Sequence, residues 1–266
     1  MPDWLTAVIL GVVEGVTEFL PISSTGHLLL VEHWLPPGAQ FLRDELFTVI
    51  VQPGAVAAVL LIFWKRLVNL GRDWRKPESR DYIAKLFVAF GITVVGGYCL
   101  KKFGWRLNKE SVTAVALATL IGGILFLAVE AWLKHRPTHD NVTWPIALAV
   151  AGGQLLAAIF PGLSRSGATI LVALVLGLRR APATEFSFML GIPTLTAAAA
   201  KELMDARESP PPYPIDWWLV AVGIFVAAVT AFISVKWLLR FVQTHTFVGF
   251  GWYRVVLGGI VLLFGR

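Results

Sequence analysis

Residues 14–30 read EGVTEFLPISSTGHLLL, and residues 161–169 read PGLSRSGAT. Each stretch interrupts an apolar run with proline, serine and glycine, where a helix stops and restarts. Around them the chain divides into ten apolar segments, near 4–20, 24–35, 44–64, 83–100, 111–133, 144–160, 166–178, 184–203, 216–240 and 251–265. A membrane span needs about 20 apolar residues, with roughly 17 as the lower limit. Segments 24–35 and 166–178 fall short of that, so each is read with the segment before it as a re-entrant helical hairpin. The other six segments cross. The expected fold is therefore an all-α integral membrane protein with six transmembrane helices and two re-entrant helical hairpins.

Composition agrees. Of 266 residues, 56% are apolar and 15% charged, and the mean hydropathy is +0.70. Soluble domains run near 45–50% apolar and about 25% charged, so disorder, a nucleic-acid-binding domain and an ordinary soluble enzyme are excluded. The net charge of +6 is attributed to basic cytoplasmic loops rather than to a nucleic-acid partner. Cys99 stands alone, so an internal disulfide and a cysteine-based metal site are excluded. The start, Met-Pro-Asp, lacks the basic run of a cleavable signal. All eleven tryptophans sit at or just beyond a segment end, as interfacial belts require.

The chain also repeats. At an offset of 140, Pro21 matches Pro161, Glu45 matches Glu185, Pro53 matches Pro193, and Ala57-Ala58 match Ala197-Ala198. At 141, Ser23 and Gly26 match Ser164 and Gly167, and at 136 IGGILFL from Ile121 echoes LGGIVLLF from Leu257. One membrane domain, 1–266, is thus expected to hold halves of about 1–136 and 140–266. With three crossings each, the halves lie upside down to one another, an inverted-topology repeat of transporter-like design. With both termini outside, fourteen basic residues face inward (Lys65, Arg66, Arg72, Arg75, Lys76, Arg80, Lys85, Lys134, Arg136, Arg179, Arg180, Lys236, Arg240 and Arg254). Eight face outward (Arg43, Lys101, Lys102, Arg106, Lys109, Lys201, Arg207 and Arg266), so this orientation is favoured.

Glu14, Glu18, His27 and Arg165 fall within or at the tips of the hairpins. Two ionised carboxylates and a guanidinium there cost on the order of 8–10 kcal/mol if unpaired, at about 2.5–3.5 kcal/mol each. They must meet each other, water or a ligand. Glu14 and Glu18 stand one turn apart on one helical face, where like charges repel. A shared proton or a divalent cation relieves them, and oxygen ligands suit magnesium or calcium. The stretch Ser23, Ser24, Thr25, Gly26 and His27 adds hydroxyls, helix-start N–H groups and an imidazole, an anion site by geometry. In the second break, Arg165 is flanked by Ser164, Ser166, Gly167 and Thr169, the fork and hydroxyls that phosphate oxygens require. Bland readings compete: Glu14 and Glu18 as structural partners of Arg165, and Ser164 and Thr169 as helix caps. Glu45 and Glu185 are expected to open their helices as structural residues, and Glu130 and Lys201 to reach the interface.

The two motifs resemble the signatures of the undecaprenyl-diphosphate phosphatases, the bacitracin-resistance family of bacterial integral membrane enzymes. The resemblance runs over essentially the whole chain. It implies removal of the terminal phosphate from undecaprenyl diphosphate, which recycles the lipid carrier for peptidoglycan and other cell-wall polymers. It places the chain in the bacterial inner membrane with the site open to the outer face. It carries catalytic roles onto Glu14, Glu18, Ser24, His27 and Arg165, with Glu14 and Glu18 as ligands of magnesium or calcium. Substrate contacts carry onto Ser23, Thr25, Gly26, Ser164, Ser166, Gly167 and Thr169. The implied partners are a polyprenyl diphosphate and membrane lipids, with a homodimer among the open assemblies. The nucleophile stays open between Ser24, the preferred group, His27 and water. A different family, the acid-phosphatase-like lipid phosphatases, needs a histidine where this chain has Leu171, and no histidine follows Arg165 before His245. A transporter or flippase of a lipid phosphate or another anion is the rival class, because inverted repeats with midplane charges also serve alternating access.

Overall fold

The computed structural model describes residues 1–35, 40–105 and 111–264. Those residues form eleven α-helices, with no β-strand among them. In chain order these are α1 (Asp3–Thr17), α2 (Ser24–Trp34), α3 (Glu45–Ile62), α4 (Trp64–Arg72), α5 (Pro77–Lys102) and α6 (Val112–Leu133). They continue with α7 (Trp144–Ile159), α8 (Arg165–Val175), α9 (Arg180–Glu208), α10 (Trp217–Thr244) and α11 (Val248–Phe264).

The protein is an all-α, multi-pass membrane protein. Helices α3, α5, α6 and α10 are each long and apolar enough to cross a bilayer. The other two expected crossings do not reach that standard, each for a visible reason. Helix α9 has 29 residues, yet its ends carry Arg180, Glu185, Lys201, Glu202 and Asp205; α11 has 17 residues and encloses Arg254. The outward faces of α5 and α10 expose Phe87, Val95, Phe225 and Ile233, a surface that suits lipid rather than water. All eleven tryptophans are exposed, consistent with placement at headgroup depth.

Helices α1 and α2 are 15 and 11 residues long, and α7 and α8 are 16 and 11. At 1.5 Å per residue, an 11-residue helix rises only about 17 Å, roughly half of the hydrocarbon core. In each pair the two short helices pack on each other. Helix α1 lies along α10 and α7 along α5, while α3 pairs with α9 and α6 with α11. Close approach is enforced by glycine: a Cβ on Gly15 would sit 2.4 Å from the Ala227 carbonyl, and one on Gly54 would sit 2.2 Å from that of Ile224. Phe19, in the first break, packs edge-on to Phe188 of α9 at 5.1 Å within a largely aliphatic core.

Several sequence expectations are corrected. Residues 64–72 of the basic stretch form α4, an amphipathic helix exposing Trp64 and burying Leu70. Arg254 is no loop residue: it lies inside α11 and is fully buried, and Lys85 of the same tally lies inside α5 and is buried as well. Arg106, Lys109 and Arg266 of the outward tally lie outside the described residues. Glu45 does begin α3, but Glu185 sits inside α9, five residues after its start, and pairs with Arg66 at 3.1 Å. Glu130 does not reach the interface; it is buried, held by the Arg180 guanidinium and the Phe247 N–H.

Candidate active site

The two breaks fold alike. Ser23 and Ser164 have φ of +74° and +71°, the two non-glycine residues with positive φ among the described residues. Each is the N-cap of the helix that follows. Ser23 Oγ accepts from Gly26 N–H at 3.2 Å, and Ser164 Oγ accepts from Gly167 N–H at 3.1 Å. A serine held there is strained by roughly 1–3 kcal/mol, and such strain persists where surrounding structure over-determines it. Each break thus places a helix N-terminus, with its first N–H groups unpaired within the helix, where the two breaks meet.

Contacts between the breaks fix that meeting. Ser166 Oγ donates to the Leu20 carbonyl at 3.0 Å. The Arg254 guanidinium donates to carbonyls of both breaks: Pro21 at 3.1 Å, Gly162 at 3.1 Å and Leu163 at 2.8 Å. It also donates to Thr119 and Ala118 of α6, at 3.2 and 3.4 Å. Five carbonyls thus replace a carboxylate partner for this buried cation. Gly122 and Gly167 leave room for it, since a Cβ at either would lie 2.1 or 2.9 Å from its terminal nitrogens.

The charged groups gather at this junction. Glu14 projects from the last turn of α1, and Glu18 caps that helix; both are buried. Arg165 Nη2 donates to Glu18 Oε1 at 3.4 Å, and Nη1 donates to the Ser187 carbonyl at the same distance. Its plane covers the Phe19 ring at 5.2 Å, and Gly191 of α9 admits it, a Cβ there lying 2.6 Å from Nη1. Ser24 Oγ donates to Glu18 Oε2 at 2.8 Å. Glu18 therefore joins the hydroxyl of one break to the guanidinium of the other. Both oxygens of Glu14 and Nε of Arg165 are buried without a hydrogen-bond partner. A carboxylate and a guanidinium N–H left so are expensive.

His27 stands one turn above Ser24 on α2. Its Nδ1 lies 2.7 Å from the Ser23 carbonyl, which can only accept, so Nδ1 carries a proton. Its Nε2 lies 2.6 Å from the Tyr253 hydroxyl, the two rings being parallel at 5.6 Å. His27 makes its hydrogen bonds to Ser23 and Tyr253, not to Ser24, Glu14 or Glu18. The hydroxyls of Ser166 and Thr169 are already engaged: Thr169 Oγ1 lies 2.6 Å from Ser187 Oγ and within reach of the Arg165 carbonyl. Gly26 is buried toward Thr119, and Thr25 is half-buried in the first turn of α2.

Sequence reading missed Tyr253, Arg254, Ser187 and Phe19. Arg254 did leave a signal, a lone charge inside an apolar run. The others are ordinary core residues until the helices are assembled. Among the described residues no group of three or more His, Cys, Asp or Glu is placed to hold a metal ion. The oxygen set at the junction is Glu14, Glu18 and Ser24. A cavity of about 370 Å³ runs beside the site between α2, α6 and α11, from Gly26 and Thr119 past Leu30 and Leu257 to Trp34 and Arg43.

Comparison with known proteins adds the family. The profile of the bacitracin resistance protein BacA matches residues 7–260. An undecaprenyl-diphosphatase of Rhizobium etli is 47% identical over 261 residues, covering 98% of this chain and 96% of its own. Those of Xanthomonas oryzae pv. oryzae and Xylella fastidiosa are 43% and 42% identical, again over at least 97% of each chain.

Proposed function

The chain belongs to the bacitracin resistance protein BacA family, and on that footing we propose that it hydrolyses undecaprenyl diphosphate to undecaprenyl phosphate and inorganic phosphate. It is a membrane phosphatase that returns the lipid carrier to cell-wall synthesis. The observation that carries the assignment of the site is the meeting of Ser24, Glu18 and Arg165 where two helix N-termini converge.

Phosphoryl transfer rests mainly on positioning and charge neutralisation. The Arg165 fork and the first N–H groups of α2 and α8 bind the terminal phosphate. Ser24 Oγ attacks its phosphorus, and the hydroxyl proton passes to Glu18 Oε2. The bond from phosphorus to the bridging oxygen breaks, with the electron pair remaining on the lipid phosphate. Water then cleaves the phosphoserine and Ser24 regains its proton. An oxygen-only donor set with orphaned Glu14 oxygens fits a hard cation such as magnesium or calcium, held by Glu14 and Glu18. When bound, the cation supplies neutralisation of diphosphate charge.

The prenyl chain lies in the apolar cavity between α2, α6 and α11, open to lipid. The finer architecture belongs to the same proposal: six crossings, two re-entrant hairpins and inverted halves, with both termini outside and the site open to the outer face of the inner membrane. The exchange of partners between α1–α10 and α7–α5, and the paired strained serines, support the inverted repeat.

Phosphate release from undecaprenyl diphosphate by the purified protein in detergent is the test. Release that stops on chelation and returns with magnesium or calcium is expected. Binding without release would favour a transporter or flippase instead. Sealed vesicles of known orientation report which face the site opens to.

A further inference from the structure

Helix α2 carries a ladder. Ser24, His27, Leu30 and Trp34 follow at intervals of three or four residues, so each stands about one turn, ~5 Å, beyond the last. Ser24 belongs to the Glu18–Arg165 cluster, whereas Leu30 and Trp34 line the apolar cavity. Helix α11 lines the same cavity in a matching order: Leu257, Ile260 and Val261 face it, and Tyr253 stands one turn before Leu257. His27 thus stands one turn from Ser24 and one turn from Leu30, and Tyr253 one turn from Leu257. They join by the 2.6 Å contact of Nε2 with the Tyr253 hydroxyl. The Ser23 carbonyl accepts from Nδ1, so Nε2 accepts from the phenol, and the Tyr253 hydroxyl is the group with a proton to offer a ligand. Tyr253 is half exposed and His27 is partly buried.

We propose that His27 and Tyr253 form the subsite for the lipid-bearing phosphate, the half of the diphosphate that departs with the prenyl chain. The inference rests on the hydrolase reading above and assigns each end of the substrate. The terminal phosphate sits at Ser24 and Arg165, the lipid-linked phosphate sits one turn further along α2, and the prenyl chain continues over Leu30 and Leu257. The Tyr253 hydroxyl turns from Nε2 to donate to an oxygen of this phosphate. As the bridging bond breaks, that donor stabilises the electron pair left on the bridging oxygen. A phosphomonoester carrying a prenyl chain is thus the ligand class, and free phosphate is not.

The experiment compares wild type with Tyr253→Phe, which keeps the stacked ring and removes only the hydroxyl. Inhibition by a polyprenyl monophosphate and by inorganic phosphate is measured on each, with kcat and KM for undecaprenyl diphosphate. Y253F should weaken monophosphate inhibition about tenfold, the equivalent of one lost hydrogen bond. Inhibition by inorganic phosphate should stay within about twofold on the same scale. His27→Gln reads the other half of the pair and should act in the same direction if Y253F folds poorly. Equal weakening of both inhibitors, or of neither, overturns the subsite. A wild-type protein that releases no phosphate sinks the hydrolase reading instead, so the two failures are distinguishable.

Discussion

Arg254 on the last helix donates from Nη1 to the carbonyl of Pro21 in the first hairpin, 233 residues earlier, at 3.1 Å. The same guanidinium holds Gly162 and Leu163 of the second hairpin. One buried cation thus ties the two breaks to each other and to α6. It pairs with no carboxylate among the described residues, so its charge is met by carbonyl dipoles and the face of the Phe126 ring at 6.0 Å.

Arg254→Met should therefore cost several kcal/mol, on the order of 3–5, because buried carbonyls lose their donors. The check is the thermal midpoint in detergent. Arg254→Lys keeps the charge but not the fork, and should fold yet lose at least about tenfold in kcat as the breaks drift apart. Wild-type turnover in the lysine variant would show that the fork does not position the site.

Ser24→Ala removes the hydroxyl that donates to Glu18 while leaving the fold intact. If Ser24 is the nucleophile, kcat should fall by about three orders of magnitude or more, and label from the terminal phosphate should be trapped on the wild-type chain alone. Near-wild-type turnover would transfer the nucleophile's role to water, with Glu18 as its base.

Arg165→Ala should lower kcat/KM on the order of 10²–10⁴-fold, since it removes the guanidinium facing the terminal phosphate. Arg165→Lys should recover only part of this loss, because a single ammonium cannot reach both Glu18 and the Ser187 carbonyl. Steady-state kinetics with undecaprenyl diphosphate decide both.

The strained serines make a stability prediction. Ser164→Ala loses the cap on Gly167 and keeps the unfavourable φ, a cost of about 1–2 kcal/mol. Ser164→Gly loses the same cap but occupies positive φ freely, so it should be less destabilising than alanine. Thermal midpoints in the reverse order would mean that the side chain, not the backbone, sets the turn.

Glu130→Gln tests a pair that sequence reading misplaced at the interface. Glu130 is 1% exposed, and it meets both Arg180 and the Phe247 N–H. The amide retains one acceptor but strips Arg180 of its counter-charge, so a loss of about 2–4 kcal/mol is expected, read as a lower midpoint with the pH profile of activity unchanged.

The helical membrane class, the two breaks and the identities of Glu14, Glu18, Ser24, His27 and Arg165 were legible in the sequence. Apolar run lengths, helix punctuation and charges out of place in lipid are local properties, and a linear reading captures them. What surrounds those residues was not legible. That Glu18 links Ser24 to Arg165, that His27 turns to Tyr253 rather than to Ser24, and that Arg254 joins both breaks depend on contacts spanning 91 to 233 residues of chain. Glu130 looked like an interfacial charge because snorkelling is the cheap solution for an isolated helix, and Arg254 was counted with the loops for want of any visible partner. Only packing supplied the carbonyls, the arginine and the amide that let them stay inside, and such partners come from helices whose order along the chain does not say which will be neighbours.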